Sequence, residues 1–358
     1  LTVPLYFIQE LTIRAALGSG KGMGALLKEV YGGRVAAISL VAMLVIDGAA
    51  YVGEYAAISA IGLLFGVPVI ISVSLVLVFH TVIILMGGSY KRVENVLLAI
   101  SAFILVYLMA FAVIPIKAQD IYGALMSVFQ PSSYFNSLYV TLLTANIGAV
   151  IMPWMLYYQQ SAIVDKGLRS EHYIHERFET VMGAIISETL MIGSLLVGYW
   201  LRIKGGAVDG FQSALLSISR VISPYWFIVA AVGMVAAALL AIFVISLGFA
   251  YGLSEYFGWP SGLSKRMCEA KGFYAFYVVE IVPAALIVLL WRDLANLILG
   301  IMVFNAIALA IPTYLLINLT SRRDVVGDYA ISRARAVALY VVTTALITAG
   351  IYTILITI

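Results

Sequence analysis

The sequence predicts an all-α membrane protein, and three observations carry that prediction. Of its 358 residues, 63% are hydrophobic and only 11% charged, with a mean hydropathy of +1.06. That is more apolar sequence than a water-soluble core can bury. Runs of roughly 18 to 25 residues, each long enough to cross about 30 Å of hydrocarbon, recur about ten times. Basic residues gather in alternate loops, as they do where only one face of a membrane protein meets the cytoplasm.

The spans are expected near 1–17, 36–65, 67–87, 95–116, 138–157, 181–201, 222–250, 273–291, 294–318 and 336–357. The second and seventh are long enough to tilt or to continue as helix beyond the bilayer. The second also carries Asp47, Tyr51 and Glu54 at i, i+4 and i+7, on one helical face. Buried acids are costly in lipid, so this face should turn to the bundle interior and serve as a polar pathway for protons or ions. Glu188 in the sixth span is a similar case. Glu280 in the eighth divides evenly between pathway and structural acid, and His80 in the third reads as a satisfied polar residue.

Loop charge sets the orientation. Of 21 Lys and Arg residues, Lys117, Arg202, Lys204, Arg220 and Arg292 fall on one side and Arg14 sits near the inner end of the first span; all the others fall on the opposite side. The loop after the first span is therefore cytoplasmic, and the chain begins within or near the outer half of the membrane. A chain opening on Leu1 inside an apolar run, without a Met start, a basic lead-in or signal-peptide architecture, reads as a fragment. The single Cys268 lies in a cytoplasmic loop, so no intrachain disulfide forms and a reducing face is expected. The net charge of +3 follows from this loop bias and does not point to nucleic acid.

The segment Asn146–Ser161 places Pro153 inside a run otherwise fit to cross the bilayer. A membrane helix must satisfy its backbone internally, so a Gly-x-x-x-Met-Pro break at mid-span frees carbonyls that need a partner or a bound ion. Met152 adds a thioether, which soft and borderline ions such as Cd²⁺, Mn²⁺ and Fe²⁺ accept and hard Mg²⁺ and Ca²⁺ gain little from. A Met in an apolar helix more often packs than binds; its place beside Pro153 favours the ligand.

Other motifs carry less. Gly18-Ser19-Gly20-Lys21 resembles a phosphate loop but has Ala15 and Gly22 where that motif needs Gly and Ser or Thr, which excludes nucleotide binding. Glu171–Glu176 has ligand types at helical spacing but reads as a solvated amphipathic connector.

Gly148-Ala149-Val150-Ile151-Met152-Pro153 followed by Leu156-Tyr157 resembles the sixth-helix signature of the Nramp divalent-metal transporter family. In order along the chain, Gly18–Gly22 is similar to that family's turn after its second helix, and Leu63–Pro68 to its L-L-F-G-I-P joint. Tyr90–Glu94 is similar to the basic start of its fifth helix, and Ile311-Pro312 with Leu319-Thr320-Ser321 to the end of its tenth. The resemblance implies a LeuT-like inverted-repeat transporter fold. Residues 1–116 would be the remainder of the first repeat (helices two to five), 138–318 the second (helices six to ten), and 336–357 an extra C-terminal helix.

It also implies a multi-pass protein of the plasma membrane, not an enzyme, that imports a divalent ion, Mn²⁺ or Fe²⁺, as a monomer in the lipid bilayer, with no cofactor. The implied metal ligands here are Met152, the carbonyl of Ala149 and the amide oxygen of Asn305. Residues 1–35 contain no Asp-Pro-Gly-Asn, the first-helix break that supplies two further ligands, so this chain alone is not expected to transport by the family mechanism. Where the family has titrating histidines, this chain has Trp154 and Gln159 or Gln160, so proton coupling should be weak unless Glu54 or Glu188 carries it. Retention of Met152 argues against the family's magnesium-transporting branch. A LeuT-fold carrier of a small organic solute is the other alternative, since such carriers also break their first and sixth helices.

Overall fold

A computed structural model describes residues 1–85, 89–112, 119, 121–122, 126, 136–290 and 294–357. The basic residues Lys117 and Arg292 and the ends of three expected spans, 86–87, 113–116 and 291, lie outside the described residues.

Helix α1 (Thr2–Ser19) stops at Gly20, whose φ of 66° puts it in the left-handed region that glycine tolerates, and the Gly20 N–H closes on the Ala16 carbonyl at 2.8 Å. Helix α2 (Met23–Leu64) is 42 residues long, about 63 Å of helix, twice the hydrocarbon thickness. It divides at Gly32 (φ 82°), so residues 23–31 form a separate piece before the expected span begins. Helices α3 (Val69–Leu85) and α4 (Tyr90–Ala112) follow, and then α5 (Ser137–Val150), capped by the Asn136 side chain accepting from the Tyr139 N–H. Beyond it come α6 (Pro153–Asp165), α7 (Tyr173–Ile203), α8 (Phe211–Val221) and α9 (Pro224–Phe257). The chain continues through α10 (Lys271–Val279), α11 (Ile281–Leu290), α12 (Leu294–Ala308), α13 (Ala310–Ser321), the single turn α14 (Arg323–Val326) and α15 (Arg333–Thr357).

Among the described residues, seven helical stretches are long and apolar enough to cross a membrane, with α5 and α6 together forming one of them, and α3 is a shorter apolar helix. The expected spans on α1, α3 and α4 are not among these seven, and two further features depart from the expected pattern. Helix α8, too short to cross, was not anticipated; it lies between the sixth and seventh spans and buries Leu215 and Ile218 in a cluster with Ile61, Leu201 and Ala230. The eighth span is split at Glu280 into α10 and α11, because Pro283 has no N–H for the Val279 carbonyl and its ring crowds it.

Within lipid, apolar contact between helices gains little, so close approach and hydrogen bonds hold the bundle. Helix α9 is the central strut. A Cβ at Gly248 would lie 2.9 Å from the Trp154 carbonyl, and one at Gly252 would meet Leu40, Met43 and Tyr157 at 3.1 Å, so both glycines allow α9 to lie directly on α6 and α2. Interhelical hydrogen bonds run from Tyr157 Oη to Ser39 Oγ (2.9 Å) and between the hydroxyls of Thr144 and Thr353 (2.5 Å). At the end of α6, Asp165 gathers the α9–α10 loop, its carboxylate accepting from Tyr251 Oη and the Leu263 N–H, both at 2.7 Å, and from Ser264. Beside it Lys166 pairs with Glu94 at 2.9 Å. Burial pulls the Lys166 ammonium down, but the bond to Glu94 and its charge outweigh that and leave it above the usual lysine value.

Candidate metal-ion site

Between α5 and α6 the chain leaves the helix for two residues. Ile151 (φ −124°, ψ 114°) and Met152 (φ −118°, ψ 148°) are fully extended. Proline is the cause: Pro153 restricts the residue before it to extended backbone, offers no N–H to Ala149, and is itself at home in the first turn of α6.

Two of the carbonyls freed by this break share one partner. Asn305 of α12, fully buried, donates its side-chain N–H groups to Gly148 O and, at 3.1 Å, to Ile151 O, so a single amide spans the gap. Such bridging is what makes non-helical backbone tolerable at membrane depth. Its own oxygen, Oδ1, is buried without a partner. The approach of α12 depends on Gly148, because a Cβ there would collide with the Met302 carbonyl. Ala149, whose carbonyl lost its donor to Pro153, is exposed.

Met152 is 6% exposed and belongs to the core cluster that includes Ile46, Ala50 and Tyr51 of α2, Ile245 of α9 and Ile281 of α11. Asp47 is fully buried, and neither carboxylate oxygen reaches hydrogen-bond geometry with a partner. Its carboxylate interacts with the backbone N–H of Trp154 in the first turn of α6, and Glu280 is close enough to act on it electrostatically. The partial positive charge of a helix N-terminus is a favourable neighbour for that carboxylate. Trp154 packs beneath Gly248 with its indole Nε1 buried and unpartnered.

The structure thus gathers Ala149, Met152, Trp154, Asn305 and Asp47 around one break. It does not bring the other two acids to it: among the described residues no hydrogen bond or ion pair links Glu54 or Glu188 to these residues. Glu54 is half-buried. Glu188 is buried on α7. Gln159 and Gln160 have structural work: Gln159 donates to Thr180 Oγ1 (3.0 Å), and Gln160 to the Lys21 carbonyl (2.9 Å), fastening α6 to the α1–α2 turn.

His80 is only half satisfied. Its ring stacks on Tyr277 (centroids 4.4 Å apart, planes at 10°), Nε2 stands 3.5 Å from Tyr51 Oη, and Nδ1 has no partner. Glu280, with both oxygens buried and unbonded, joins Asp47 as a second acid near the break. No spacing rule along the sequence pairs these two residues; helix packing alone does so. Among the described residues no three His, Cys, Asp or Glu side chains converge as metal ligands.

A multi-spanning helical bundle with a helix interrupted at mid-span, its carbonyls bridged by a neighbour, defines the class of membrane transporters with a LeuT-like fold. The family profile described as natural resistance-associated macrophage protein-like matches residues 1–356, and the chain belongs to this Nramp family, whose members are divalent-metal transporters and not enzymes. No curated protein matches the sequence. Among solved structures, the chain is similar to the manganese transporter of Eremococcus coleocola in complex with an aromatic bis-isothiourea substituted compound, with a TM-score of 0.70 and 15% identity over 99% of this chain and 78% of that one. Two mutants of the same transporter match comparably: a histidine-to-alanine mutant with a TM-score of 0.68 at 16% identity over 98% and 77% of the two chains, and a glutamate-to-alanine mutant with 0.69 at 16% over 99% and 78%. At that identity the likeness is one of fold.

Proposed function

We propose that the protein carries a divalent transition-metal ion of the Mn²⁺ or Fe²⁺ class across the plasma membrane by alternating access, as a monomer, with the ion passing the break between α5 and α6. The observation that carries this reading is the donor set at the break. Met152 offers a thioether, Ala149 a carbonyl without its helical donor, and Asn305 a free amide oxygen on the side chain that holds the break open. One soft and two neutral hard donors, with the Asp47 carboxylate nearby, suit an ion that accepts sulfur and oxygen and that must also leave. The two inverted repeats are assigned to 1–116 and 138–318, with α15 outside them.

The test is calorimetric titration of Mn²⁺, Cd²⁺, Ca²⁺ and Mg²⁺ into the purified protein and its Met152→Ala variant. Oxygen ligands survive the change, so Mn²⁺ affinity should fall by no more than about one or two decades, roughly 1.4 to 3 kcal/mol. Cd²⁺ should lose more, and Ca²⁺ or Mg²⁺ should begin to compete. Unchanged Mn²⁺ and Cd²⁺ affinities would mean that Met152 only packs.

A further inference from the structure

Away from the break, α1, α7 and α15 meet around one carboxylate. Glu10 is fully buried. It accepts from Arg14 Nε at 2.7 and 2.8 Å, from Arg335 Nη2 at 2.5 Å and from Tyr173 Oη at 2.8 Å, and Arg177 Nε stands 3.5 Å away. Three guanidinium groups therefore share one carboxylate. Glu176 and Glu179 on α7 and Asp328 on the turn before α15 make no ion pair with these arginines. The side chains of Arg14 and Arg335 are only 15% and 23% exposed, a setting where unbalanced charge is expensive.

Neutral groups offset part of the excess: Arg14 also donates to the Tyr329 carbonyl (2.9 Å), Arg177 to Tyr6 Oη (3.1 Å), and Arg335 lies 5.0 Å over the Phe7 ring. Even so, Arg335 Nε is buried with no acceptor, and about two positive charges are left over. The cluster is on the side that the loop charges assign to the cytoplasm, and the apolar side chains of Phe7, Ile174, Phe178 and Val337 stand exposed on the same three helices.

We propose that this cluster binds the phosphate of an anionic lipid headgroup in the cytoplasmic leaflet, with Arg177 and Arg335 as its donors and the acyl chains lying along the exposed apolar side chains. Planar, weakly hydrated guanidinium groups match phosphate oxygens in pairs. Basic pockets between helices on the cytoplasmic side recognise such headgroups. The apolar flanks favour a lipid over free phosphate, which would use the arginines alone. Glu10 then acts as an internal competitor that keeps the arginines in place when no lipid is bound.

The experiment is native mass spectrometry of the delipidated full chain titrated with phosphatidylglycerol, phosphatidylcholine or inorganic phosphate. Phosphatidylglycerol should be retained in preference to phosphatidylcholine, and inorganic phosphate should not displace it. Arg177→Gln, at the most exposed of the three positions, should weaken phosphatidylglycerol retention about fivefold. Glu10→Gln, where it folds, should strengthen it, a direction that a purely structural role for Glu10 does not give. Equal retention of the two lipids, or an Arg177→Gln variant indistinguishable from the parent, overturns the proposal. Displacement by inorganic phosphate overturns the lipid assignment.

Discussion

Three prolines interrupt apolar helices of this protein, and two of them have opposite effects. At Pro153 the backbone departs from helix for two full residues and must borrow an amide from another helix. At Pro312 it scarcely departs: Leu309 keeps helical angles (φ −55°, ψ −24°), its N–H bonds Asn305 O at 2.9 Å, and the Thr313 N–H bonds Leu309 O at 3.2 Å. Pro312 falls in the first turn of α13, a position that proline tolerates. Pro283 is intermediate, parting α10 from α11 while Glu280 stays helical. A proline therefore permits a break and does not compel one. The open gap at Met152 exists because Asn305 satisfies the carbonyls it exposes and because Gly148 lets α12 come near enough to do so.

That contrast is most directly broken by removing the bridge. Asn305→Ala leaves the Gly148 and Ile151 carbonyls buried and unpaired, at about 1 to 3 kcal/mol each. The variant should melt well below the parent in detergent and lose most metal binding by calorimetry. If both properties match the parent, the amide is not what holds the break.

The two prolines can then be exchanged for alanine separately. Pro153→Ala returns an N–H to Ala149 and lets the helix close, so metal affinity should fall about tenfold or more, roughly 1.4 kcal/mol or above. Pro312→Ala should shift stability by no more than about 1 kcal/mol and leave affinity alone. Equal effects at the two positions would remove the distinction between them.

The smallest effect expected is on labelling. Cys268 is the single cysteine and is exposed, so in intact cells an impermeant thiol reagent should miss it and a permeant one should reach it. Labelling from outside would invert the orientation on which the lipid proposal rests.

Much of the bundle was legible in the sequence, because crossing a bilayer demands a length and an apolarity that any window of residues reveals. Helix α8 and the segment 23–31 escaped that scan for the same reason: neither crosses. At the site, the Met152-Pro153 break was legible from one dipeptide in an apolar run, since proline acts through its own ring. The use of Asn305 was not. The resemblance offered its amide oxygen as a ligand, whereas the fold engages the two N–H groups of its amide nitrogen with backbone more than 150 positions away and leaves the oxygen free. Asp47 and Glu280 met in the same way, through the packing of α2 against α11 and α9.

By itself, then, the sequence determined that the chain lives in a membrane, where a helix can yield and that a thioether stands at that point. These are local properties, set by hydropathy over one span or by the covalent geometry of one residue. The tertiary structure decided whether each proline opens a gap or only bends a helix, which acids stand together, and that one carboxylate would hold three arginines from three helices. Each of those depends on which helices touch. In a bilayer that is settled by close approach at glycines and by bonds between polar groups far apart in sequence, neither of which leaves a periodic trace along the chain.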